Sequence, residues 1–85
     1  MPQVLEQNGF RVMIYPDDHR PAHAHVYKSG LVVIRLNNRR TPPSIREVIG
    51  MSRKDARDAL LLVTEHKKLL VKEWRRIHVP ATNER

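Results

Sequence analysis

Apolar residues follow two rhythms along this 85-residue chain. Up to about residue 49 they alternate with polar ones, and from about residue 53 they recur every three or four positions. Alternation marks strands, and the longer period marks a helix. In Phe10 to Tyr15, Phe10, Val12 and Ile14 share one face, and Arg11, Met13 and Tyr15 share the other. This strand is apolar on both sides near its end, which predicts a central position. In His23 to Tyr27, Ala24 and Val26 oppose His23, His25 and Tyr27. In Leu31 to Leu36, Val32, Ile34 and Leu36 oppose Leu31, Val33 and Arg35. Asn8-Gly9 is a turn signal, and Lys28-Ser29-Gly30 is a short hairpin connection with Gly30 free to take positive φ. The three strands therefore read as an antiparallel meander. Met1 to Asn8 reads as a polar lead-in carrying one apolar pair, Val4 and Leu5. Ile45 to Ile49 reads as a fourth short strand, with Ile45, Glu47 and Ile49 on one face, or alternatively as a helical turn; Gly50 ends it.

Ser52 to Asp55 has the form of a capping box, with the Ser52 hydroxyl accepting from the Asp55 amide. From Arg53 the spacing predicts one helix to about Ile77, about 25 residues and about 37 Å long. Ala56, Ala59, Leu60, Val63, Leu70, Trp74 and Ile77 form its apolar stripe. Leu62 and Leu69 widen the stripe on one side, and Val71 widens it on the other. Leu61 stands alone in the polar arc. Pro80 stops the helix, and residues 80–85 read as a frayed tail. The expected fold is α+β, a single domain over residues 1–85. A small antiparallel sheet of three or four strands (about 10–49) packs against one long C-terminal helix (about 53–77). A helix this long overhangs so small a sheet, and with Leu62 and Leu69 beside the stripe it suggests a homodimer or a partner subunit.

Composition changes this picture in two ways. The chain has no cysteine, so neither disulfides nor thiolate metal sites support the small core. That suits a reducing cytoplasm, and no secretory leader or membrane-spanning run is evident. The net charge is +7, and it is uneven. Residues 1–27 hold two basic and three acidic groups, and residues 28–85 hold fourteen basic and six acidic ones. Such a half would be drawn to a polyanion, a nucleic acid or an acidic protein. Arg39 and Arg40 on a loop, together with Arg57, Lys68 and Arg75 opposite the helix stripe, are candidates for phosphate contact, and Arg20 adds a cation to the loop before the second strand. With few aromatics and no helix-turn-helix pattern, base-specific reading has no support.

The candidate chemistry lies in Asp17 to Tyr27, which holds three of the five histidines, His19, His23 and His25. Three readings stay open. The histidines could act as acid and base in attack of an RNA 2′-hydroxyl on its phosphate, with Arg11, Arg20 or Tyr15 stabilising the developing charge. They could ligate zinc, nickel or copper, with His23 and His25 completed by His19 or Asp18. They could be structural, with Asp17 or Asp18 pinning the loop to the strand. His66 reads as a satisfied histidine at the core edge, and His78 suits the helix C-terminus. No nucleophile elbow, phosphate-binding glycine loop or carboxylate pair is present.

Asp18-His19-x-Pro21-x-His23-x-His25-Val26 resembles the Asp-His-x-Pro-Pro-His-x-His-Val signature of a bacterial and archaeal family, domain-of-unknown-function family 4160. The likeness extends over about Met1 to Ile77. It includes the Met-Pro start, Gly9-Phe10-Arg11, the helix opening at Ser52, and the Glu65-His66 to Trp74 spacing. Ala22 replaces the second proline, and Arg20 stands where an acidic or polar residue is usual. The resemblance implies a cytoplasmic protein whose gene neighbours another small gene, in pairs described as candidate toxin–antitoxin modules. The combined expectation is a basic nucleic-acid-binding component of such a pair, needing no cofactor, with a small cognate protein partner, capable of homo-oligomerisation and independent of membranes. The alternatives are a metal-independent endoribonuclease using His19, His23 and His25, and a metal-binding interaction module holding a divalent transition metal on the same three residues.

Overall fold

A computed structural model describes residues 3–78. Five strands form one antiparallel sheet in sequential order: β1 Gln3–Gln7, β2 Phe10–Met13, β3 His23–Tyr27, β4 Leu31–Arg35 and β5 Ser44–Ile49. Two helices follow, α1 Arg53–Glu65 and α2 Lys67–His78. The α+β class and the central meander are as expected. The strand count and the single long helix are not.

The fifth strand is β1, the segment read as a lead-in. Its polar composition hid it, but Asn8-Gly9 closes a two-residue hairpin in which Gln7 pairs with Phe10. Both turn residues have positive φ, 56° and 83°, which asparagine and glycine tolerate best. A register shift between Gln3 and Leu5 breaks the alternation, and Val4 and Leu5 both pack on the core.

The core face of the sheet carries the rows that alternation predicts. Val12, Val26, Val32 and Val48 lie in register across β2 to β5, and Ala24, Ile34 and Ile45 form the next row. Phe10, Ile14 and Leu36 add to the buried layer, while Ile45 and Val48 at the β5 end of these rows are exposed. A second register shift, between Val33 and Ile34, changes the faces of β5. It places Ile45 opposite Ile34 and Glu47 opposite Val33, so Ile45 and Glu47 do not share a face.

The Ser52 hydroxyl caps α1 by accepting from the Asp55 amide at 3.1 Å. Ala56, Ala59, Leu62 and Val63 bury against the sheet. Leu62, taken as a flank of the stripe, is 4% exposed and belongs to the core. The helix stops at His66, whose φ of −110° departs from helical values. Side chains compete with the backbone there. Thr64 Oγ1 donates to the Leu60 carbonyl at 2.7 Å, and His66 Nδ1 lies 3.0 Å from the Leu62 carbonyl. The chain restarts as α2, with Leu70 N donating to the His66 carbonyl. Leu70 and Trp74 are its buried residues. The expected single helix over about 53–77 is thus two helices meeting at His66. The expected tail over residues 80–85 lies outside the described residues.

Candidate functional site

Two regions gather the candidate residues. The first is a cleft of about 350 Å³ beside the start of β3, lined by residues 17–21, His23, His25, Val33, Arg46 and Glu47. The Asp18 amide donates to the Tyr15 carbonyl at 3.1 Å and closes a turn after β2. The Asp18 carboxylate meets both strand histidines, with Oδ2 3.4 Å from His23 Nε2 and 3.6 Å from His25 Nδ1. The three ligand-type atoms lie within 4.8 Å of one another. On the other side of the His23 ring, Nδ1 lies 2.8 Å from the Pro21 carbonyl and donates to it. That bond places a proton on Nδ1 and leaves Nε2 facing Asp18.

His23 is 5% exposed, the one polar side chain in the buried set among the described residues. Its ring packs 5.3 Å from His25 and 5.4 Å from Trp74 on α2, centroid to centroid. His25 stands on the face opposite the core, in the cross-strand row Met13, His25, Val33 and Glu47. Burial pushes its imidazole below the usual histidine range, against the pull of Asp18. Tyr15 packs edge-on against His25 at 5.0 Å. A 2.9 Å hydrogen bond to Tyr27 is the main cause that pushes Tyr15 up to about 12, with burial adding to it. Asp18 Oδ2 and His25 Nδ1 are buried and have no hydrogen-bond partner.

His19 and Arg20 line this cleft but are exposed, and His19 is not among the three converging groups; Asp18 holds the place expected of it. Arg46 and Glu47 enter because the β5 register shift brings that strand's polar residues to the cleft. No local pattern in residues 44–49 marks them.

The second region is a groove of about 590 Å³ between the loop after β4 and α2, lined by residues 37–39, Lys67, Lys68, Val71, Lys72 and Arg75. Its charged lining residues are Arg39, Lys67, Lys68, Lys72 and Arg75, and none is acidic. Lys67 builds the groove as well as charging it. Its Nζ donates to the Thr41 carbonyl at 2.7 Å and to the Asn38 carbonyl, holding the loop on the helix. The Asn38 side chain caps the Arg40 and Thr41 amides at 2.9 Å each, and Asn37 Nδ2 donates to the Pro42 carbonyl at 2.8 Å. Of the expected phosphate ligands, Arg39, Lys68 and Arg75 meet here. Arg40 is exposed on the same loop outside the lining. Arg57 lies in a separate hollow with Ile45, Val48 and Met51.

The two remaining histidines are engaged locally. His66 is the cap of α1, and His78 stacks on Trp74 at 3.7 Å with Nδ1 3.0 Å from the Trp74 carbonyl. No described helix is long and apolar enough to cross a membrane.

A family model described as a domain of unknown function, DUF4160, matches residues 9–75. No curated protein and no solved structure matches the chain. The matched span takes in β2 to β5, the cleft, the groove, α1 and most of α2, and the chain belongs to the DUF4160 family.

Proposed function

We propose that the protein binds nucleic acid through its phosphate backbone, as a cytoplasmic component of a bacterial toxin–antitoxin-type pair. The observation that carries the binding reading is the groove. Five cations from a loop and a helix line one concavity that no acidic side chain neutralises. Lys67 holds its two walls together, so the charges are arranged before a ligand arrives. The lining contains no aromatic residue, which favours phosphate contact over base stacking and makes binding largely independent of sequence.

The pairing with a second protein is what the family resemblance implies. The edge strand β5 supports it, since Val48 and Ile49 are 43% and 52% exposed there beside open backbone groups. The endoribonuclease alternative has weaker support. His23 is buried, with one ring nitrogen bonded to the Pro21 carbonyl and the other facing Asp18, so neither is offered to a substrate.

Fluorescence anisotropy with labelled single-stranded RNA and duplex DNA tests the proposal. The triple variant Arg39→Ala/Lys68→Ala/Arg75→Ala is expected to bind at least ~10-fold more weakly than the parent at moderate salt. Arg53→Ala/Arg57→Ala, outside the groove, is expected to bind nearly as the parent does. Equal loss in the two variants would point to bulk charge and contradict the assignment.

A further inference from the structure

We propose that Asp18, His23 and His25 form a binding site for one divalent transition-metal ion of the zinc class. Asp18 Oδ2 lies 3.4 Å from His23 Nε2 and 3.6 Å from His25 Nδ1. A charge-assisted hydrogen bond would draw such atoms to about 2.7–2.9 Å. Two ligands each about 2.0–2.1 Å from a tetrahedral ion stand about 3.3 Å apart. The two Asp18 gaps match atoms grouped around a common centre better than atoms bonded to one another, and the two histidine nitrogens, within 4.8 Å of each other, need only a small side-chain adjustment to share it.

Asp18 Oδ2 and His25 Nδ1 are buried without a hydrogen-bond partner, and they lie 3.6 Å apart beside His23 Nε2. Native structures seldom leave such atoms unused. An ion among them would engage both, together with the Nε2 lone pair of His23.

The surroundings prepare His23 as a ligand. Its Nδ1–H donates to the Pro21 carbonyl at 2.8 Å, the arrangement that orients a metal-binding imidazole and raises its basicity. Trp74 and His25 pack against the ring and restrict its rotation. Two imidazoles and one carboxylate suit zinc, nickel or copper and do not suit calcium or magnesium, which prefer oxygen ligands alone.

Three protein ligands leave a fourth position open, toward the cleft that also holds Arg20, Arg46 and Glu47. A small oxygen ligand, water or an anion held by the two arginines, fits that position. The site is separate from the basic groove, so the inference stands or falls without the nucleic-acid reading.

The test uses tag-free, full-length protein stripped with chelator and titrated with Co²⁺ and then Zn²⁺. One Co²⁺ per chain is expected, with the intense visible bands of a tetrahedral site, displaced by stoichiometric Zn²⁺. Thermal unfolding is expected to shift upward with Zn²⁺. Asp18→Asn keeps the side-chain shape, and His25→Gln lies on the partly open face. Each is expected to remain folded by circular dichroism and to bind at least ~10-fold more weakly, since even residues behind the ligands cost that much. His19→Ala is expected to bind as the parent does. Absence of stoichiometric binding, unchanged affinity in both ligand variants, or loss of binding in His19→Ala would each overturn the proposal.

Discussion

Individual side chains in this fold work at long range, and Lys67 is the clearest example. Its ammonium reaches carbonyls 26 and 29 residues earlier in the chain, and so joins the loop after β4 to α2. Lys67→Met keeps the aliphatic stem and removes the donors. It is expected to lower stability by about 1 kcal/mol in urea unfolding, because partly exposed hydrogen bonds contribute modestly. Hydrogen exchange at the Arg40 and Thr41 amides should rise at the same time. Gly30 is constrained in another way. With φ at 134°, a Cβ there would lie 2.3 Å from the Gly50 carbonyl oxygen, in backbone that cannot move aside. Gly30→Ala is therefore expected to cost more than ~2 kcal/mol by the same measurement. The sequence made Gly30 legible, because a hairpin of that length asks for positive φ. It also exposed His23 and His25, because a period of two sets both on one strand face. Lys67 was not legible, since nothing near it in sequence names its acceptors. Asp18 was a candidate beside His19, and only the turn closed on the Tyr15 carbonyl shows which of the two faces the strand.

The elements show where pattern reading holds and where it breaks. β2, β3 and β4 pair with no register shift between them, and the apolar faces expected of them are buried, with His23 and Val33 buried on the other face as well. β1 and β5 each contain a register shift, and at both the simple alternation fails. A shift of one residue turns the following side chains to the other face, and that is how Glu47 reaches the histidine cleft. The helix break had a local cause too, in Thr64 and His66, whose side chains return to carbonyls four residues back. Apolar periodicity runs on through such an interruption, so the stripe alone could not reveal it. The status of β1 gives a direct prediction. Removing residues 1–7 would expose the edge of β2 and withdraw Val4 and Leu5 from the core. It is expected to destabilise the fold by about 2 kcal/mol or more, given the apolar area lost. A true lead-in could be removed with no measurable change in the urea midpoint.

Across the whole molecule, charge and architecture combine. The excess of basic groups after residue 27 is a property of the sequence, but its concentration is a property of the fold. Lys67, the first residue of α2, fastens the loop bearing Arg39 against that helix. Arg57 and Arg40, which composition could not separate from the others, stay outside the resulting groove. The cleft and the groove use different residues, so binding of an ion and binding of a polyanion are expected to be separable by mutation. Asp18→Asn should leave nucleic-acid affinity within about twofold, since it removes no groove cation and phosphate contacts dominate affinity.

The most direct test of the account is the salt dependence of nucleic-acid binding. Five groove cations engaging phosphates predict a slope of log K against log salt of about −3.5 for a single strand and about −4.5 for a duplex. The Arg39→Ala/Lys68→Ala/Arg75→Ala variant should flatten that slope by about 2 to 3, in proportion to the charges removed. A parent protein without measurable binding at low salt, or a variant whose slope matches the parent's, would contradict the account.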